Sequence, residues 1–404
     1  VGYVPGIWSD EMVDGWKQIA SDVHREGGVF FMQIWAPGRA GFLGLGGGGL
    51  PKSEYNVEGG EFEYVSSSAI PLTGTPSAGG IHPTPRPLTT LEIGEYVRSF
   101  GEAAYNAVHR AGLDGVEVHA GQGYLLDQFL QDTCNKREDE YGGSIEGRCR
   151  FPLEAVAEAV NRVGQERVGV RITPWGKFQG KPLVSRFWLR ILTAFLDMGM
   201  ADPIPTYTYF ITELKTRYPS LAYLHVTEPR VSGAVDRTEL TSENPTDFAH
   251  ESNDLFRELW ASGEGAERRV YISAGGYTPE EAKKTVDRAE REGRNECVAF
   301  GRLFIANVSC IPPHFRRFVC ADILRQWPKP DLPLRIKRDI PLARYNRPTF
   351  YLAGSPEGYI DYPFAEDAEV QASVNSIQDE TAIAKTSSIP DSDPAVCTES
   401  LCVG

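Results

Sequence analysis

Gly115-Val116-Glu117-Val118-His119-Ala120-Gly121-Gln122-Gly123-Tyr124 is the stretch on which the reading of this chain turns. Its first five residues read as a buried strand, and the strand ends in a loop of glycines and hydrogen-bonding side chains. Upstream, Leu91 to Ala111 has helical spacing and stops near Gly112. The same order recurs along the chain. A helix that starts at Ser9, with a hydroxyl cap followed by Asp10 and Glu11, ends at Gly27-Gly28 before the strand Val29 to Trp35. Within it Met12, Trp16, Ile19 and Val23 form one stripe expected to be buried. Phe151 to Val163 precedes the strand Val168 to Ile172, and further strands are expected at Leu221 to Val226, Val270 to Ala274 and Cys297 to Phe300, each behind a helical stretch.

Helix then strand, repeated, implies parallel pairing in an α/β fold. Six strands are counted. A closed (β/α)8 barrel needs eight, and the polar, glycine-bearing loop after each strand is what the active face of such a barrel carries. An open doubly wound sheet is the alternative, but no GxGxxG turn follows any strand.

Composition narrows the function classes. No run approaches the roughly 18 apolar residues that would span a bilayer. With 55 acidic against 41 basic residues and a net charge of −14, the chain repels nucleic acid and anionic membrane surfaces. The seven cysteines show no CxxC pair and no histidine at metal spacing, so no metal site is expected, and a reducing, cytoplasmic setting is. One incomplete barrel is expected over 1–363, with a glycine-rich excursion from Gly41 to Ser68 and insert-like segments at 181–197 and 308–329. Residues 364–404, acidic and Ser-rich, are expected to be a disordered tail.

Three groups of residues carry chemistry. His119 and the Gln122 amide are placed to donate hydrogen bonds jointly to a carbonyl or anionic oxygen, with the Tyr124 hydroxyl near enough to deliver a proton. A histidine at a strand end is more often structural, and that alternative stays open. Gln33 and Arg171, at the ends of separate strands, can converge on a planar polar ligand, or can simply close the barrel with an amide bond and a salt bridge. Gly275-Gly276 and Gly301-Arg302 follow the last two strands, where backbone N–H groups and an arginine suit a phosphate. Tight turns would explain the glycines but not the pairing with arginine.

Pro5-Gly6-Ile7-Trp8-Ser9, Gln33-Ile34-Trp35, His119-xx-Gln122-Gly123-Tyr124-Leu125-Leu126-Asp127-Gln128-Phe129, Asp139-Glu140-Tyr141-Gly142-Gly143-Ser144 and Phe300-Gly301-Arg302, in this order, closely resemble the old yellow enzyme family, its fungal members above all. The resemblance implies a TIM barrel whose first two strands lie before Val1. It also implies FMN reduced by NAD(P)H and reoxidised by an electron-poor alkene, an enone or enal, in fungal secondary metabolism. On that resemblance His119 and Gln122 bind the substrate carbonyl, Tyr124 protonates the α carbon and Trp35 lines the pocket. Gln33 and Arg171 contact the isoalloxazine, Gly275, Gly276, Gly301 and Arg302 the phosphate, and Tyr351 the ring's surroundings.

The chain departs from the family where Gln122 replaces Asn or His, one methylene longer than Asn, and a displacement of about an ångström can cost roughly a hundredfold in rate. The segments 181–197 and 308–329 interrupt family text and read as retained introns or subfamily insertions. A homodimer is one candidate assembly. Competing functions are isomerisation or oxidation on the same scaffold, and a catalytically inactive relic acting as a binding protein.

Overall fold

The computed structural model describes residues 5–25, 27–42, 64–72, 82–176, 198–232, 235–236, 250–307, 332–346, 349, 355–359 and 361–362. Tyr351, the segments 181–197 and 308–329, the tail 364–404 and most of the glycine-rich excursion lie outside them.

Six parallel strands form the sheet: β1 (Phe31–Ile34), β2 (Gly115–Ala120), β3 (Val168–Ile172), β4 (Tyr223–Thr227), β5 (Val270–Ala274) and β6 (Asn295–Ala299). Each pairs with the next in chain order. A doubly wound sheet reverses its strand order at a switch point, whereas an unreversed order is that of a (β/α) barrel wall.

Period-two alternation divides the residues of this wall into two sets. Val116, Val118, Ala120, Val168, Val170, Ile172, Leu224 and Val226 are fully buried. They belong to one core with Phe100 and Ala104 of α2 (Thr90–Tyr105), Phe151 and Val156 of α4 (Ile145–Val163), and Phe210 and Leu214 of α5 (Ile204–Arg217). Each of the valine, leucine, isoleucine and phenylalanine side chains among them contributes roughly 1.5–3 kcal/mol of burial free energy. The alternate positions hold Gln33, Glu117, His119, Arg171, Tyr223 and His225, and register joins them across the strands: Gln33 with Glu117, then His119 with Arg171 and Arg171 with His225. One set therefore builds the core and the other a polar wall.

Local chemistry fixes the helix ends. Helix α1 (Asp10–Arg25) starts at Ser9, whose Oγ accepts the Met12 N–H at 3.3 Å. It ends with Gly27 at positive φ and the Gly28 N–H reaching the Val23 carbonyl at 2.9 Å. Its buried stripe is centred one residue from expectation, on Val13 and Ala20, with Met12, Trp16, Ile19 and Val23 half-buried beside them. Thr89 and Glu92 form a capping box at the start of α2, and a π-helical turn, Asn106–Arg110, closes that helix. Helix α4 starts six residues before the expected Phe151, capped by Ser144. Buried Arg148 hid this start, because its guanidinium is satisfied by Leu130 O, Gly143 O and Thr206 Oγ1.

Candidate functional site

Beyond β2 the chain turns sharply before α3 (Leu125–Leu130). Gln122 and Gly123 both have positive φ, 56° and 75°, a region that costs a non-glycine residue about 1–2 kcal/mol. Side chains hold the turn in place. Thr173, just past β3, accepts the Gln122 N–H at 2.7 Å, and Asp127 accepts the Gly123 N–H at 2.8 Å. Gln128 Nε2 donates to the Gly123 carbonyl at 2.8 Å. Gly121 is needed where it stands, since a Cβ there would lie 2.9 Å from Thr173 Oγ1.

The turn brings three of the expected residues together. The Tyr124 ring meets His119 edge-on at 5.3 Å and Trp35 at 4.4 Å between centroids. A bond from the Leu125 N–H to the Ala36 carbonyl, 2.9 Å, keeps the loop after β1 beside α3 and so holds Trp35 in range. His119 is 2% exposed, and neither ring nitrogen makes a well-formed hydrogen bond among the described residues. Burial, then the Arg171 charge, push its pKa down to about 3 against opposition from Glu117 and the nearby Gln122 amide, so the ring is neutral at pH 7. A neutral imidazole keeps one N–H to donate.

Beside His119 lies a group that the sequence reading did not single out. Glu117 accepts from Gln33 Nε2 at 2.6 Å and pairs with His225 Nδ1 at 2.8 Å. Burial alone would raise its pKa, but the His225 bond and the Arg171 charge outweigh burial and hold it at about 2. Burial likewise lowers His225, leaving an ionised carboxylate beside a neutral imidazole. A carboxylate only accepts, so Nδ1 carries the proton and His225 Nε2, buried without a partner among the described residues, is left as an acceptor. Arg171 Nε is buried and also unpartnered among the described residues. The signal in the sequence was Glu117 itself, an acid inside an otherwise apolar parallel strand, which is too costly to bury without partners.

The second expected group lies after β5 and β6. Gly275 and Gly276 have positive φ, and the Gly275 carbonyl accepts from Arg230 Nε at 2.7 Å. Gly301 precedes the short helix Arg302–Ala306, with open space where its Cβ would stand. Arg302 donates to the Tyr345 hydroxyl at 2.8 Å and stacks on that ring. Side chains that the sequence reading missed knit the neighbouring loops together. Asn253 accepts from Trp175 Nε1 at 3.1 Å and donates to the Thr227 carbonyl at 3.1 Å and to Glu228 Oε2 at 3.3 Å. Buried Arg257 pairs with Glu228 and with Glu296, and the Tyr277 hydroxyl donates to Glu228 Oε1 at 3.0 Å.

An isoalloxazine offers hydrogen-bonding edges and, when reduced, negative charge, which suits unpartnered donors at the end of a parallel barrel wall. FMN fits this donor set on two observations, the orphaned Arg171 Nε and the glycine-lined turns after β5 and β6. Among the described residues no helix is long and apolar enough to cross a membrane, and no cluster of His, Cys, Asp or Glu is placed to hold a metal ion. Fold and site together define an α/β-barrel flavin oxidoreductase.

Comparison with known proteins gives the same class. The chain belongs to the NADH:flavin oxidoreductase / NADH oxidase family, whose model matches residues 2–311. It is 39% identical to the "probable inactive reductase easA" of Epichloe festucae var. lolii, over 90% of this chain and 78% of that protein. It is 38% identical to the "aldehyde reductase FrzD" of Cladobotryum sp, over 90% and 76%. The old yellow enzyme homologue from Zymomonas mobilis superposes with a TM-score of 0.64 at 27% identity, covering 90% of this chain and 81% of that one. As a member of this family the chain is an FMN-dependent oxidoreductase that takes its electrons from NAD(P)H.

Proposed function

We propose that this enzyme reduces the C=C bond of α,β-unsaturated carbonyl compounds in fungal secondary metabolism. Bound FMN would supply hydride to the β carbon after taking it from the nicotinamide. The protein's part is to bind, polarise and protonate. His119 donates its single N–H, with the Gln122 amide, to the substrate carbonyl oxygen, drawing electron density away from the alkene. Tyr124 then delivers a proton to the α carbon. Trp35, packed on Tyr124, walls the pocket. Gln33 and Arg171 would hold the polar edge of the flavin, while Gly275, Gly276, Gly301 and Arg302 would hold its phosphate.

The observation that carries this reading is His119, buried directly against Tyr124, with neither ring nitrogen in a well-formed hydrogen bond among the described residues. A structural histidine so buried would be satisfied by the protein, whereas a binding histidine waits for an oxygen.

The test begins with the visible spectrum of the purified chain with and without added FMN, followed by anaerobic titration with NAD(P)H and turnover of a cyclohexenone. Tyr124→Phe is expected to keep the flavin spectrum and its bleaching by NAD(P)H, and to lose alkene turnover by roughly 10²–10⁴-fold. Bleaching together with unchanged turnover in that variant would remove Tyr124 from the chemistry. Flavin uptake with no turnover of any enone by the wild type would favour the inactive-relative reading suggested by easA.

A further inference from the structure

Glu117 is the most unusual investment in this wall: a carboxylate buried to 7% exposure, with both oxygens engaged, on the strand that also carries His119. It takes no part in the steps above. Its two hydrogen bonds reach the strands on either side of the β2–β3 pair, to Gln33 on β1 and to His225 on β4. The register neighbour of His225 on β3 is Arg171, so the carboxylate, the guanidinium and two neutral imidazoles share one small polar patch.

Two consequences follow from those contacts. The first concerns orientation. A carboxylate accepts only, so the 2.6 Å bond fixes which end of the Gln33 amide is the nitrogen and turns Oε1 away from Glu117. Without that bond the amide could present either end to a ligand. The second concerns charge. Arg171 is the permanent cation of the patch and, among the described residues, Glu117 is its one buried anion, so the net charge they present to a ligand there is near zero rather than +1. In a poorly screened site that difference acts strongly on any ligand whose charge changes during the reaction.

We propose that Glu117 sets the redox poise of the bound flavin, offsetting the Arg171 charge so that the reduced, negatively charged ring is held less tightly than arginine alone would hold it. The inference rests on the placement of the pyrimidine edge at Gln33 and Arg171, and on no feature of the alkene site. Reduction adds two electrons and one proton to the oxidised ring, and the remaining negative charge lies on the pyrimidine edge. An uncompensated Arg171 would stabilise that charge and make the reduced ring a weaker hydride donor. By weakening the hold, Glu117 keeps the second half-reaction favourable.

The test is the equilibrium between oxidised and reduced FMN on the holoenzyme, measured anaerobically against a reference dye. Glu117→Gln removes the charge at nearly constant shape and is expected to shift this equilibrium at least tenfold toward the reduced form, about 30 mV for a two-electron couple. His225→Gln exchanges one neutral side chain for another and is expected to stay within threefold of wild type. A purely structural role predicts the reverse pattern, with both variants losing FMN affinity or melting temperature and neither moving the equilibrium. FMN-loaded Glu117→Gln within threefold of wild type overturns the proposal. So does a tenfold shift in His225→Gln, which stands as a test even if the first variant fails to fold. A wild-type chain that takes up no FMN would instead overturn the flavin-edge placement, and this inference with it.

Discussion

Replacing Thr173 by valine isolates the device that presents the turn carrying Gln122 and Tyr124. The hydroxyl accepts the Gln122 N–H at 2.7 Å, and the side chain is 2% exposed, so no water can replace it without rearrangement. The turn balances two magnitudes. Holding Gln122 at positive φ costs about 1–2 kcal/mol. Three hydrogen bonds, from Thr173, Asp127 and Gln128, offset that cost at a net 0.5–1.5 kcal/mol each, or roughly 1.5–4.5 kcal/mol together. Valine removes one of them and leaves a half-buried N–H facing an apolar side chain, a loss of about 1–3 kcal/mol, which takes the margin to about zero. The turn would then populate other conformations, with Gln122 and Tyr124 out of line with His119. Since each 1.4 kcal/mol is about tenfold in rate, enone turnover is expected to fall roughly 10- to 100-fold, while the melting temperature drops by only about 2–6 °C. Steady-state kinetics on a cyclohexenone and a thermal melt measure both, with Thr173→Ser, which retains the hydroxyl, expected to recover most of the rate. A valine variant within twofold of wild-type turnover would show that the strained turn does not depend on Thr173.

Gln122→Asn is expected to raise stability by up to about 1 kcal/mol, because asparagine tolerates positive φ better than glutamine, and thermal melts would read the change. Its enone KM should move as well, since the amide is drawn back by one methylene. The pH dependence of stability follows from His119, whose folded pKa, pushed by burial down to about 3, lies below the ordinary histidine value of about 6.5. Between these values the unfolded chain binds the extra proton, so His119's contribution is fully present above about pH 6.5 and is lost as pH falls toward 3. Denaturant midpoints of His119→Gln should therefore decline less steeply than wild type from pH 6.5 to 4, and parallel curves would contradict the neutral assignment. Asp127 has the opposite sign: complete burial raises its pKa to about 6, so its ionisation costs stability as pH rises through 6. Asp127→Asn removes this titration, at the cost of the acceptor that Gln131 and Tyr207 share, so its stability relative to wild type is expected to be higher at pH 8 than at pH 5, as denaturant midpoints would show.

Much of the wall was legible because apolar strands behind helices are a strong local signal. Val168–Ile172 and Val270–Ala274 fall where they were read, β2 runs one residue longer, and β1 and β4 differ by no more than two residues at either end. The strand β6 was read two residues late. It begins with Asn295 and Glu296, and the burial of Glu296 is compensated by Arg257, 39 residues earlier, which meets it at 3.0 Å, and by the Ser273 hydroxyl. The same physics concealed the start of α4 behind Arg148 and the polar patch behind Glu117. A charged residue in sequence looks exposed until its partner is known, and the partners here come from distant elements. His119, Gln122 and Tyr124 were legible because they sit within six residues on one strand and its turn. Thr173 and Asp127, which hold that turn in shape, carry no signature of their own.

The polar hub at Asn253 and Arg257 also bears on how this face of the molecule opens. It ties Trp175, Thr227, Glu228 and Tyr277, and through them the loops after β3, β4 and β5, to the start of the short helix Asp254–Trp260. Loops anchored to one charged node cannot loosen one at a time without stranding a buried ion, so they should exchange their amide hydrogens as a single cooperative unit with a shared opening free energy. Entry and departure of a large ligand on this side would then be set by one collective event.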